Sequence, residues 1–495
     1  MSSINVISIV SISFSVQTLI GIIFYIVIAR TLPIVEVGAI TLFLSLGGIF
    51  MVAFSLNLDS GFTHFISYSL GKTGKYLLPR FSFLLTALIM FVSLLIIACL
   101  SGLISLVFFH SKSYTSVIIL MGGYVSESIG LNYMVSFLQG IQSFKLASYS
   151  NILYSSLSMG IPVVLAILQA PVEIISSGFV IGAGISFVFS LIFVIASKLP
   201  NMPIEKGFKT KFIAYVLPIF FGGLTTSLLS TIDRVILPAL TNLTLSAIYT
   251  YSLTIATIVT ALTLPFSFFL FPKISQSFAL PNVARTKSYI EGSLQFFYYL
   301  ALPASLGATI LSRQLLEILV GGEYASHYLI LQIMVFSYSL FSFRPILSSI
   351  LLGNRKTKIY MYSGIGALGT NVTLSLTLIP LIGVYGALIA TVSAWAVSTI
   401  PRMVAVGSLL NHSISLIPYI KIWANSLAMA GLVFLAANVF NSEYFSLFLP
   451  SILGMIFYFS ISILNKPFSS DTRELMFSIA GNSRPLIRWV LKVLF

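Results

Sequence analysis

The sequence predicts an all-α polytopic membrane protein with about fourteen transmembrane helices. Three observations lead there. Hydrophobic residues make up 58% of the 495 and charged residues only 8%, where a soluble protein carries about 25% charge; mean hydropathy is +1.04. Apolar runs long enough to span the hydrocarbon as a helix, about 20 residues, recur along the whole chain. Lysine and arginine concentrate on alternate links between those runs, as short cytoplasmic loops require.

Taken in order, the first run, 4–29, exceeds the roughly 7–15 residues of a signal-peptide core and is followed by Arg30 rather than a cleavage site, so it reads as a retained span. The next five are 38–57, 81–108, 115–138, 147–168 and 174–196, and charge or Pro/Gly marks each break. The second set is 212–231, 246–271, 290–311, 326–352, 359–380 and 384–406. The last two spans are 417–440 and 445–464. Only a Pro-containing link divides the runs at 169–173 and at 380–384, and losing either split would invert everything after it.

The basic residues test that count. With the N-terminus inside, cytoplasmic segments hold 22 of the 26 Lys and Arg, and only Arg30, Lys112, Arg234 and Arg313 fall outside. Arg402 and Lys421 count with the link between the twelfth and thirteenth spans, and Arg344 with its nearest face although it lies within the tenth. A missed helix would scramble this asymmetry, so both termini are expected in the cytoplasm and the chain in the cell membrane. The net charge of +14 is then a topological signal, and no nucleic-acid partner is implied.

An internal repeat supplies a second organising fact. Leu138, Gly140, Lys145, Tyr149, Ser150 and Ile152 recur at an offset of 213 as Leu351, Gly353, Lys358, Tyr362, Ser363 and Ile365. Both copies cross a cytoplasmic turn, between spans 4–5 and 10–11. The expected organisation is a six-helix bundle over 1–196, a cytoplasmic linker over 197–211, a second six-helix bundle over 212–406, spans 13 and 14 over 417–464, and a cytoplasmic tail over 466–495. In the tail Arg484, Arg488 and Lys492 share one helical face beside Leu486, Ile487, Val490 and Leu491, the pattern of an amphipathic helix on an anionic leaflet.

The loops narrow the chemistry. One cysteine, Cys99, excludes an internal disulfide, and no GxxxxGK[ST] phosphate loop is present. His64, His110, His327 and His412 lack ligand spacing, so neither metal nor cofactor is expected. Asn242-Leu243-Thr244 is an acceptor sequon on the outer side. The outer links are short, the longest being about 312–325, which disfavours a membrane enzyme of glycan assembly and favours transport.

Several stretches carry a family resemblance through their order and spacing. Ala29-Arg30-Thr31-Leu32 with Gly38, then Leu58-Asp59-Ser60-Gly61, resembles the first loops of the Wzx-type polysaccharide exporters, the oligosaccharide-lipid flippases. Asp233-Arg234, Ile248-Tyr249 and Phe271-Pro272-Lys273-Ile274-Ser275 are similar to that family's helices 7 and 8. Gly353-Asn354-Arg355-Lys356, Leu378-Ile379-Pro380 and the run from Gly383 to Thr391 resemble its helices 10–12. The resemblance implies the fold of the multidrug/oligosaccharidyl-lipid/polysaccharide superfamily, two pseudo-symmetric six-helix bundles around a central cavity with two extra C-terminal helices. It also implies a non-enzymatic flippase that moves a polyprenyl-(pyro)phosphate-linked oligosaccharide outward by alternating access. Related lipid II flippases carry basic residues within helix 1, and 13–29 here has no charge.

Ionisable groups inside spans are costly and mark function first. Glu127 lies near the middle of span 4; Arg344 lies two turns inside span 10, just before Pro345. Shifted back by 213, Arg344 falls at position 131, one turn from Glu127 in the equivalent helix. The candidate roles are phosphate binding by Arg344, with Glu127 balancing its charge or titrating with a proton or sodium ion; the alternative is a buried ion pair fixing two helices. Arg30 and Arg234, at the outer ends of spans 1 and 7, could receive the head group or merely snorkel, and Asp233 is a coupling candidate or a local partner of Arg234. A cation-coupled multidrug-type exporter of the same fold is the alternative function. The expected partners are the lipid-linked oligosaccharide, membrane lipids, a proton or sodium gradient and, beyond these, glycan-assembly enzymes.

Overall fold

The structure, a computed structural model, describes residues 3–73, 76–77, 79–197, 201–202, 208–261, 283–341, 343–354, 356–409, 416–439 and 443–469. The Phe271–Ser275 motif, Arg355 and the basic tail helix lie outside these residues. Over its described part, each of the fourteen predicted segments is mainly helical. Among the described residues eleven helical stretches are long and apolar enough to cross a membrane, with Tyr328–Leu352 counted as one, and a twelfth span arises if a pair bent by 79° at Leu311 is also counted as one.

Helices α1 (Ser3–Thr31), α2 (Ile34–Ser55), α3 (Leu58–Thr73), α4 (Pro79–Phe109), α5 (Thr115–Gly140), α6 (Phe144–Ile167), α7 (Val172–Ala196), α8 (Phe208–Thr231) and α9 (Asp233–Leu240) belong to a compact unit running from Met1 to Ala247. Helix α5 falls outside the apolar set because it is the interior helix. It packs against α2, α3, α4, α6 and α7, most of its residues are buried, and it has no need of a continuous apolar face toward lipid. Predicted span 2 ends where Leu56 and Asn57 turn left-handed, each with φ 50°. Asn57 there donates its side-chain N–H to the Ile219 carbonyl on α8 at 3.2 Å, and α3 continues the path with Phe62 and Ile66 in the core. A two-residue parallel pairing joins Tyr76–Leu77 to Asn201–Met202.

The second unit, Ile248–Phe495, holds most of α10 (Leu243–Ala261), then α11 (Val283–Ile310), α12 (Ser312–Leu319), α13 (Gly322–Ala325), α14 (Tyr328–Phe341), α15 (Arg344–Gly353), α16 (Thr357–Ile382), α17 (Val384–Leu409), α18 (Ile417–Ala437) and α19 (Glu443–Asn465). The longest predicted outer link is therefore mostly helical, as α12 and α13. Helices α16 and α17 meet at Gly383, whose φ of +59° with ψ −134° suits only glycine. Gly386 then brings α17 directly onto the Leu378–Ile379 backbone, which explains the spacing of glycines in that motif. Asn425 joins α18 to α19 through Ser462 and Asn465.

The repeat is visible in the backbone. Ser143 N–H bonds the Leu138 carbonyl at 2.8 Å, and Lys356 N–H bonds the Leu351 carbonyl at 2.9 Å; Ile141 to Phe137 and Asn354 to Ile350 match likewise, both at 3.0 Å. All four partners keep the offset of 213. The same offset carries α6 onto α16 and α7 onto α17, and α5 onto α14 and α15 together.

Candidate functional site

That last correspondence contains a difference. In the first repeat α5 is unbroken, whereas in the second Phe343 is a turn residue and a new helix starts at Arg344. Pro345 causes the break, because it has no N–H to donate and its ring clashes with the carbonyl four residues back, that of Phe341. In the first turn of α15 the same residue is well placed, and the N–H groups of Ile346 and Leu347 turn back to the Phe343 carbonyl at 3.1 and 3.2 Å.

Arg344 opens this restarted helix. Its guanidinium carbon lies 5.5 Å from the Trp395 ring centroid on α17, a cation–π distance, and Trp395 in turn packs on Tyr338 at 4.6 Å. Among the described residues the buried Nη1 of Arg344 has no hydrogen-bond partner. A second guanidinium stands nearby. Arg402, only 5% exposed, donates from Nε to Ser363 Oγ and from Nη1 to Ser348 Oγ, each at 2.8 Å, and its carbon sits 4.7 Å over the Tyr360 ring.

Both hydroxyls are fully oriented. Ser363 donates onward to the Tyr360 carbonyl at 3.0 Å and Ser348 to the Arg344 carbonyl at 2.9 Å. Arg402 is thus tied, through one hydroxyl, to the backbone of the residue that carries the other cation. The two charges are close enough to interact electrostatically, and among the described residues neither forms an ion pair. A cation buried in hydrocarbon costs at least a few kcal/mol, and a guanidinium presents a planar fork matched to phosphate or carboxylate oxygens. Such a pair is built to take an anion.

The repeat shows that the shared fold does not require any of this. At an offset of 213, Tyr338, Arg344, Tyr360, Trp395 and Arg402 correspond to Val125, Leu131, Ala147, Gly182 and Phe189. Two cations and three aromatic rings occupy places that are apolar or small in the first unit.

The other predicted residues lie in the first unit. Glu127 turns to α7, and a Cβ added at Gly184 would stand 2.9 Å from its Oε1, so the glycine vacates the room that the carboxyl fills. Asp233 is buried at the start of α9 and accepts the Arg234 backbone N–H at 2.9 Å, and Arg234 has a buried Nε without a hydrogen-bond partner. Arg30 is exposed at the end of α1. Among the described residues no three His, Cys, Asp or Glu side chains converge as metal ligands.

The sequence reading missed Arg402. Counted with a cytoplasmic link although the predicted span 384–406 contains it, it lies two turns inside α17, which runs on to Leu409. The offset of 213 carried the signal, since it maps Arg402 to Phe189, two turns inside the end of α7.

Comparison with known proteins adds the following. Residues 4–278 match the family described as polysaccharide biosynthesis protein. A curated relative from Haloferax volcanii, the probable low-salt glycan biosynthesis flippase Agl15, is 26% identical over 214 residues, which cover 42% of this chain and 45% of that protein. The chain thus spans less than half the length of the curated relative it matches. Among solved structures, the lipid II flippase MurJ in an inward closed conformation aligns with a TM-score of 0.70 and 16% identity over 92% of this chain and 98% of that one. An inward-facing multidrug resistance MATE transporter of the MOP superfamily aligns at 0.61 and 13% over 80% and 96%. These likenesses show a shared fold.

Proposed function

This chain belongs to the polysaccharide biosynthesis protein family, and from that premise we propose that it is a flippase, carrying a polyprenyl-(pyro)phosphate-linked oligosaccharide from the cytoplasmic to the outer leaflet by alternating access. The observation that carries the proposal is Arg344, a guanidinium in a membrane helix whose buried Nη1 lacks a protein partner. A lipid-linked glycan offers the phosphate oxygens such a group lacks. The family match and the relative named as a glycan flippase support the same cargo class.

In this proposal Arg344 engages the phosphate. Glu127 is the candidate for coupling to a proton or sodium gradient, with Asp233 the second. Arg30 and Arg234 receive or release the head group at the outer face. Both termini face the cytoplasm, where the chain meets the enzymes that assemble its cargo, and the bundles divide as 1–196 and 212–406. The multidrug-type alternative leans on Asp233 as its acid, and the hydrogen bond of that carboxyl to the Arg234 backbone favours a structural role.

Glycan export in cells lacking the native gene, complemented with wild type, Arg344→Lys or Arg344→Ala, tests the proposal. The expected result is lost export with Arg344→Ala at normal protein level, with lipid-linked glycan accumulating in the inner leaflet. Full export with the alanine variant would remove Arg344 from the phosphate role, and export independent of the whole protein would end the flippase proposal.

A further inference from the structure

The arrangement around Arg402 goes beyond a single phosphate-binding arginine. A buried guanidinium and a half-buried one in the same unit, without a carboxylate paired to either among the described residues, leave an uncompensated charge that fold stability alone opposes. One of them is anchored: Arg402 is fixed by two serines and stacked on Tyr360. The other keeps a free, buried Nη1. Ser348 connects them, because its hydroxyl accepts from Arg402 and donates to the carbonyl of Arg344. That carbonyl lies in the first turn of α15, where Pro345 has interrupted the helix and the backbone has lost a restraint that α5 retains.

We propose that Arg344, Ser348 and Arg402 form one anion site contained in the second unit, in which Arg344 contacts the phosphate oxygens of the lipid carrier and Arg402 is a positioning residue. Arg402 supplies the second positive charge and, through Ser348, holds the restarted turn of α15 so that the Arg344 fork stays in place. Trp395 covers the other side of the Arg344 guanidinium. The first unit carries Leu131 and Phe189 in place of these two cations, so anion recognition along this helix pair is one-sided. The identity of the anion rests on the flippase proposal; the positioning role of Arg402 does not.

Binding rather than transport tests it. The full-length protein is placed in nanodiscs of phosphatidylcholine and titrated with farnesyl diphosphate, a short polyprenyl diphosphate, with inorganic pyrophosphate and phosphatidylglycerol as competitors. Arg344→Ala should abolish binding. Arg402→Gln should weaken it about tenfold or more, the effect of losing one charge-assisted restraint. Ser348→Ala, which keeps both charges, should weaken it about fivefold. A merely structural Arg402 would lower the melting temperature of Arg402→Gln and leave the affinity of its folded fraction unchanged.

Wild-type affinity in the Ser348→Ala protein, or in folded Arg402→Gln, overturns the positioning role; if Arg402→Gln fails to fold, Ser348→Ala decides. Competition by inorganic pyrophosphate supports recognition of the phosphate itself. Equal competition by phosphatidylglycerol overturns the assignment to the carrier. Probe binding without glycan transport in reconstituted vesicles rejects the flippase proposal alone, and transport with binding indifferent to Arg402 and Ser348 rejects this inference alone.

Discussion

Two glycines two residues apart on α7 should respond very differently to the same added methyl group. At Gly182 a Cβ would stand 2.5 Å from the carbonyl carbon and oxygen of Leu157 and 2.6 Å from the Ser158 Cα, all backbone of α6. Ordinary contact begins near 3.4 Å, so Gly182→Ala must push the two helices apart by about 0.9 Å. A gap of that size forfeits up to about half of each dispersion contact along the seam, and overpacking of this kind costs typically about 1–3 kcal/mol; with rigid backbone as the neighbour, about 2–3 kcal/mol is expected. At Gly184 the nearest atom is Glu127 Oε1 at 2.9 Å, the far end of a flexible side chain that can rotate away, so Gly184→Ala should cost less than about 1 kcal/mol. For a unit of this size the first corresponds to a loss of roughly 5–10 °C and the second to about 3 °C or less. Thermal melting in detergent, followed by fluorescence-detected size exclusion, reads both. Equal shifts would refute the α6–α7 packing described above.

Asn425→Ala removes the polar clasp to Ser462 and Asn465 and should lower stability by about 1–2 kcal/mol, near the upper end for interhelical hydrogen bonds in membranes, again read by melting. Gly383→Ala forces a side chain into a conformation with φ +59° and ψ −134° and should cost about 1–3 kcal/mol, with the yield of folded protein as a second readout. Orientation can be read by thiol labelling, because Cys99 is the one cysteine in the chain. In a Cys99→Ser background, Lys112→Cys should react with an impermeant maleimide on intact cells, while Lys145→Cys and Lys358→Cys, equivalent positions in the repeat, should react only after permeabilisation; the opposite pattern would invert the topology.

The helical architecture was legible because hydrocarbon imposes a length and a composition on every span, and because loop lysines and arginines keep account of direction. Helix α5 shows where that signal weakens: a helix surrounded by others of its own unit carries Tyr124, Glu127, Ser128 and Asn132 and looks less like a span. Arg344 was legible for the same reason that it is costly, a charge well inside an apolar run. Arg402 was not, since a charge four residues before the end of the predicted span 384–406 counts with the loop that follows, although the span already contains it. The break before Arg344 was half legible: Pro345 was in view, but whether a proline kinks, starts or interrupts a helix depends on packing. The serines that orient Arg402 gave no sequence signal, because hydroxyls returning to their own helix backbone are common throughout this chain.

The flippase proposal is tested most directly with purified protein reconstituted into vesicles that carry a labelled polyprenyl-pyrophosphoryl oligosaccharide. Leaflet accessibility is read with an impermeant glycan-modifying reagent. A protein-dependent rise in the fraction of glycan crossing between leaflets, reduced by Arg344→Ala at matched incorporation, is the predicted result. Crossing no faster than in protein-free vesicles, with folded wild type and an imposed proton or sodium gradient, would contradict it.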